Sequence, residues 1–408
     1  MKAKIIHISE TDIGGGSAFY AYRIHKYLNK IKTVKSKMYV LKKNTRDENI
    51  KIFKYKINSK FLKYLYFFFL KENNKYSFYN HGKYVVKNYS QVSKIISERP
   101  NAIIIYNNSN IIHPRILSYI NSKKIKIIFY PMDMEIITGG CHYNFKCEGF
   151  KKNCMSCPAI NKMFRNIPRI NLYEKKKYLH NKKITFLSAT KKIYDDIYNS
   201  SFFNKKKHEN YILNLGLNLN IYKPLTKNKK KDKISISFRS SLNPRKGNQI
   251  LIKAIEYACL KEPNLNKNVE FNIIGNSSIL ELITKKNFKC TFKDSVKTER
   301  ELIKFYQRSD FFLNQSIQDA GPVMVNESLA CGLPVLSFKI GISKDVIINN
   351  FNGFLLNDIS EKNLGNKIIE ISNIKKNLLV KMKNNARKTA IKNFDIKEKV
   401  KKILELIK

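Results

Sequence analysis

Acidic residues are scarce in this 408-residue chain, with 31 Asp and Glu against 78 Lys and Arg, a formal charge of +47 at pH 7. Such an excess points first to nucleic acid, whose phosphates release counterions when basic side chains neutralise them. The lysines are nevertheless spread along the whole chain among Asn and Ile and form no concentrated footprint, so no nucleic-acid partner is expected. An anionic membrane surface or a phosphate-bearing substrate suits diffuse positive charge better. Long apolar runs are also absent. The longest, FLKYLYFFFL at 61–70, is broken by Lys63 and has about half the length a spanning helix needs. Flanked by Lys60 and Lys71, it is either an interfacial segment or a buried helix. The amino terminus, MKAKIIHISE, lacks the apolar core of a secretory signal, so the expected location is cytoplasmic, with peripheral attachment to the inner face of the membrane. No repeat of solenoid period is visible. The charge run TKNKKKDK at 226–233 reads as a solvated loop.

What is present is a sizeable apolar fraction, 43%, on a chain long enough for two domains. Short β-rich runs recur: KIIHIS (4–9), KMYVL (37–41), AIIIYN (102–107) and KIIFY (126–130). Segments of helical period lie between several of them, such as SAFYAYRIHKYLNKI at 17–31. The pattern then restarts with ITFLSA (184–189), YILNL (211–215), KISISF (233–238), EFNIIG (270–275), DFFLNQ (310–315) and PVLSF (334–338). Alternation of this kind predicts α/β architecture, two doubly wound parallel-sheet domains in tandem. The expected division is 1–180, including a Cys-rich loop at 138–158, then 181–390, with the boundary near 170–183 and a helix at 391–408 packing back on the first domain. Ligands of such sheets bind outside the carboxyl ends of the strands.

Two segments have the chemistry for such a site. After the first strand, ETDIGGGSAFYAYRIH runs three glycines straight into a helix. There Gly14, Gly15 and Gly16 could bring backbone N–H groups to an anion, or simply make a tight turn. The dinucleotide fingerprint G-x-G-x-x-G is absent, which disfavours a dehydrogenase. In IQDAGPVMVNESLACGLPVLS (317–337), Pro322 suits the first position of a helix and Gly332 the position beyond its end. Gly321, Pro322 and Val323 then form an anion-binding start, with Asp319 before it and Glu327 inside it. Two carboxylates beside such a start suit a phosphate ligand rich in hydroxyls. A capping Asp and a surface Glu are the plainer alternative.

The segment D-A-G-P-V-M-V-N-E-S-L-A-C-G-L-P-V resembles the acid-x7-acid motif of glycosyltransferase family 4, with Asp319 where many members have Glu. Other matches follow in order along the chain: IGGGSAFYAYRIHKYL, ILNLGLNLNIYKP, RKGNQILIKAI, FNIIGN, ERELIKFYQRSDFFLNQS and GISKDVIINNFNGFLL. The resemblance implies a retaining enzyme of GT-B fold, its two Rossmann-like domains facing a central cleft. It implies a nucleotide diphosphate sugar as donor, with no catalytic cofactor. Glu327 would bind the ribose, Asp319 would touch the sugar near the reacting carbon, and Lys246 would neutralise the diphosphate with Arg239 or Arg245. The glycine run at Gly15 and Gly16 and the helix start at Gly321, Pro322 and Val323 complete the implied donor contacts.

Four cysteines cluster in the first half, Cys141, Cys147, Cys154 and Cys157, at spacing C-x5-C-x6-C-x2-C. In a reducing compartment disulfides are disfavoured, leaving a structural zinc or packed thiols. Only one C-x2-C pair is present. The surrounding MDMEIITGGCHYNFKC resembles a block of the colanic-acid and exopolysaccharide-type subgroup of the same family, with Met132 where a His is usual. Asp133, next to it, is the candidate contact for the acceptor hydroxyl, a loop-capping role remaining open. The expected activity is transfer of a sugar to a growing, lipid-linked surface glycan such as an exopolysaccharide, capsule or O-antigen. A nucleotide-sugar epimerase of the same fold and a basic nucleic-acid-binding protein are the alternatives.

Overall fold

The computed structural model describes residues 2–53, 76, 78, 84–109, 111–225, 232–296 and 298–408. The apolar run at 61–70 and most of the charge run at 226–233 lie outside the described residues. The chain forms two compact units, one of Met1–Asn214 with Glu398–Lys408 and one of Leu215–Lys397.

The first unit is built on a seven-stranded sheet: β1 (Ala3–Thr11), β2 (Val34–Lys42), β3 (Ile50–Ile52), β4 (Ala102–Ile105), β5 (Lys126–Phe129), β6 (Ile184–Ser188) and β7 (His208–Ile212). Their order is β3-β2-β1-β4-β5-β6-β7, and every pairing is parallel. In β1 every residue from Ile5 to Ser9 is buried, as a parallel strand covered by helices on both faces requires. The second unit repeats the design with β8 (Ile234–Ser240), β9 (Val269–Gly275), β10 (Lys289–Lys293), β11 (Phe311–Asn314), β12 (Val335–Phe338) and β13 (Gly353–Leu356). Here the order is β10-β9-β8-β11-β12-β13, again all parallel. Two doubly wound domains are therefore present, as the sequence predicts.

Their division differs from the expected one near 170–183. Strand β6 pairs with β5 and β7 pairs with β6, so the first sheet continues until the chain leaves it after Asn214. A run of β residues does not declare which sheet it will join, and that pairing moves the boundary. The last helix, Ile396–Ile407, closes the chain on the first unit, where the Lys126 ammonium donates to the carbonyls of Leu406 and Ile407 at 3.2 and 3.0 Å. Among the described residues no helix is long and apolar enough to cross a membrane.

Candidate functional site

Strand order reverses at two neighbouring strands in each sheet, β1 and β4 in the first and β8 and β11 in the second. Connections leaving such a pair diverge and open a crevice at the carboxyl ends, where ligands bind. In the second unit the connection after β8 holds Arg245 and Lys246, and the one after β11 holds Asp319. Gly247, with φ of 72°, lets these two connections touch: a Cβ there would come within 1.9 Å of the Gln315 carbonyl. The Arg245 carbonyl in turn accepts the Ile317 amide at 2.8 Å.

That stitching delivers the charges to one point. Asp319 Oδ2 accepts from Lys246 Nζ at 2.5 Å and from Arg245 Nη1 at 3.1 Å, with the carboxylate 8% exposed. Burial alone would raise its pKa, but the two cations outweigh burial and hold the carboxyl below its ordinary value. The cluster therefore holds one buried anion and two cations, a net positive site. Gly321 turns its amide onto Asp319 Oδ1 at 3.3 Å, so this N–H is already engaged.

The helix begins one residue later than expected, spanning Val323–Ala330 with Pro322 as its extended N-cap. Glu327 is not a surface residue. It is 2% exposed and accepts the Tyr306 hydroxyl at 2.9 Å. Tyr306 is buried and stays protonated, its pKa pushed well up by burial and then by the Glu327 charge. The positive charge of Arg239, near the end of β8, acts on the same hydroxyl. The two arginines thus take different stations, Arg245 on Asp319 and Arg239 within electrostatic reach of Tyr306. Behind them Arg387 fixes the frame, donating to the carbonyls of Tyr222, Ala330 and Leu219 at 2.6, 2.7 and 2.9 Å.

In the first unit Gly14 and Gly15 have φ of 127° and 126°, and Gly15 caps the helix Gly16–Leu28. A Cβ on Gly15 would meet nothing within 4 Å, so the space above this helix start is open. Asp133, beyond β5, takes the capping role left open above: its Oδ1 accepts the Glu135 amide at 2.9 Å. Its other oxygen pairs with His142 Nδ1 at 2.5 Å, each side chain 12% exposed. Met132 precedes it, its amide reaching the Tyr106 carbonyl at 3.4 Å.

Cys141, Cys147, Cys154 and Cys157 line one pocket with Tyr76, and all are free thiols. Cys141 donates to Cys157, which raises the first thiol's pKa and lowers the second's, while burial takes Cys154 up to about 11. Among the described residues no three His, Cys, Asp or Glu are grouped to hold a metal ion. Beneath this loop lies a pair that the sequence reading missed. Lys175 is fully buried and donates to Glu135 Oε1 at 2.7 Å and to the Thr138 carbonyl at 2.8 Å. No pattern in the sequence joins two residues 40 positions apart.

Two parallel doubly wound units with basic and acidic groups at a strand-order reversal define the GT-B class of fold. Residues 223–389, which lie within the second unit, match the family described as Glycosyl transferases group 1. Among curated relatives, the uncharacterized glycosyltransferase MJ1178 of Methanocaldococcus jannaschii is 27% identical over 142 residues. That match covers 33% of this chain and 37% of the relative, so it spans only about a third of either protein. Among solved structures, Anabaena Alr3699/HepE in complex with UDP and glucose superposes with a TM-score of 0.66 at 13% identity, covering 99% of both chains. A glycosyltransferase from Rickettsia africae gives 0.65 at 18% identity, covering 100% of this chain and 98% of that one. At such identities the likeness establishes the fold.

Proposed function

We propose that the protein is a retaining glycosyltransferase that moves a sugar from a nucleotide diphosphate sugar to a lipid-linked surface glycan of the exopolysaccharide, capsule or O-antigen kind. The observation that carries this reading is the Arg245–Lys246–Asp319 cluster at the strand-order reversal of a group 1 domain. In transfer, the bond from the sugar's anomeric carbon to the diphosphate oxygen breaks and its electron pair leaves with the diphosphate. The acceptor oxygen forms the new bond and gives up its proton to the departing diphosphate oxygen. Lys246 and Arg245 stabilise the charge that grows on the leaving group, and Glu327 receives the ribose hydroxyls.

The ion pairs add a step to this account. A diphosphate entering the cluster competes with Asp319 for both cations, and drawing both away frees Oδ2 to accept from the donor sugar. Asp319 thus opposes bare nucleotide and favours the reacting sugar. Calorimetry with UDP tests the assignment: Lys246→Ala should weaken binding by at least about tenfold, roughly 1.4 kcal/mol. Unchanged affinity would remove Lys246 from the site.

A further inference from the structure

The helix Asn166–Leu179 of the first unit has an outer face that its own unit leaves uncovered. Inward it buries Pro168, Asn171, Leu172, Lys175 and Leu179. Outward it presents Arg169, Ile170, Tyr173 and Lys177, which at 100° per residue fall within about 100° of one another around the helix. Ile170 is 52% exposed and Tyr173 64%, and Met163, in the turn Lys162–Phe164 just before the helix, is 82% exposed. Single exposed apolar residues are ordinary on a protein surface; three along one short segment, set among Lys162, Arg165, Arg169 and Lys177, form an amphipathic basic face. Its one acid, Glu174, is engaged with His113 at 3.3 Å. The side chains of Lys162, Arg165 and Arg169 have no ion-pair or hydrogen-bond partner among the described residues.

We propose that this face docks the protein on an anionic lipid surface, with Met163, Ile170 and Tyr173 entering the headgroup boundary and Lys162, Arg165, Arg169 and Lys177 meeting lipid phosphates. Apolar side chains ringed by cations are what an interfacial helix uses. A nucleic-acid surface would need aromatic platforms for bases, and only Tyr173 offers one. The inference is independent of the donor-site reading, because it concerns residues of the other unit.

The chain contains no tryptophan, so Met163→Trp supplies a single fluorescent reporter. Its emission should shift to the blue with phosphatidylglycerol-rich vesicles and stay unchanged with phosphatidylcholine vesicles. In vesicle sedimentation, the triple variant Met163→Ser, Ile170→Ser, Tyr173→Ser should bind the anionic vesicles at least about tenfold more weakly than the wild type in high salt, where diffuse charge attraction is screened. UDP affinity and melting temperature should be unchanged in that variant. Equal binding of variant and wild type, or no blue shift, would overturn the proposal. Loss of polynucleotide binding in place of vesicle binding would overturn it in favour of a nucleic-acid surface.

Discussion

The two strand-end regions share a fold and differ in electrical character. In the second unit the ends of β8 and β11 carry a buried carboxylate clasped by two cations, with Arg239 close by. In the first unit one polar cluster buried beside β1, β4 and β5 is neutral, although Asp12 follows β1 and Asp133 follows β5. His7 pairs with the Tyr106 hydroxyl at 3.0 Å, and Tyr20 donates to Tyr130 at 3.0 Å. Burial drives the His7 pKa down and those of Tyr106 and Tyr130 up, so all stay uncharged at neutral pH. All seven histidines of the chain lie in this first unit. A sheet of one topology can thus carry a charged cluster at its strand ends or a neutral hydrogen-bonded cluster in its interior. The first suits a phosphate; the second is buried and satisfied by its own hydrogen bonds.

The largest test of that contrast is to strand a charge inside the first unit. Lys175→Ala leaves Glu135 buried without its cation and should destabilise the fold by about 3–5 kcal/mol, read from denaturant melts. A loss below about 1 kcal/mol would mean that this interior accommodates bare charge after all.

Acid comes next. Burial lowers the His208 pKa to about 4, from an ordinary value near 6.5, so between those two pH values the unfolded chain binds a proton that the folded chain refuses. Stability should therefore fall as pH drops from about 6.5 to 4, by up to about 3 kcal/mol for this one group. His208→Gln should flatten that dependence. If the variant and the wild type lose stability in parallel, His208 does not act as a neutral buried group.

Asp319→Asn addresses the charged end. Turnover should drop by about a hundredfold, near 2.7 kcal/mol, because the group acts on the reacting sugar. UDP should bind more tightly, because the competing carboxylate charge is gone. Steady-state kinetics and calorimetry together separate these effects, and weaker UDP binding in the variant would contradict the competition. The smallest change is Tyr306→Phe, which deletes one hydrogen bond to Glu327 and should weaken donor affinity by about 1 kcal/mol in a titration of the same kind. An unaltered affinity would leave Tyr306 as packing alone.

Much of this was legible in the residues and some was not. The central strands are buried on both faces and read as nearly continuous apolar runs, so KIIHIS, AIIIYN and KISISF lie within about two residues of β1, β4 and β8. The edge strand β3 has three residues and β10 alternates between exposed and half-buried ones, so both carried too little signal to be noticed. YILNL falls late because β7 starts at His208 with polar residues, before the apolar ones. Asp319, Glu327 and Lys246 were marked by motif, yet their partners were not. The pairing of Lys246 with Asp319 spans 73 positions and depends on a glycine at 247 that lets two loops touch.

The path of the chain has one further consequence. The second unit enters at Leu215 and leaves at Lys397, and its two ends are tied together: Leu217 donates to the Phe394 carbonyl at 2.7 Å, and Ile396 donates to that of Leu217 at 3.0 Å. In chain terms it is a closed insert carried by its neighbour, its entrance and exit meeting at one short parallel bridge between Leu217 and Asp395. An insert of that kind needs nothing from its host to bring its termini together. The segment 215–397 is accordingly a self-contained cassette, with every residue of the Arg245–Lys246–Asp319 cluster inside it.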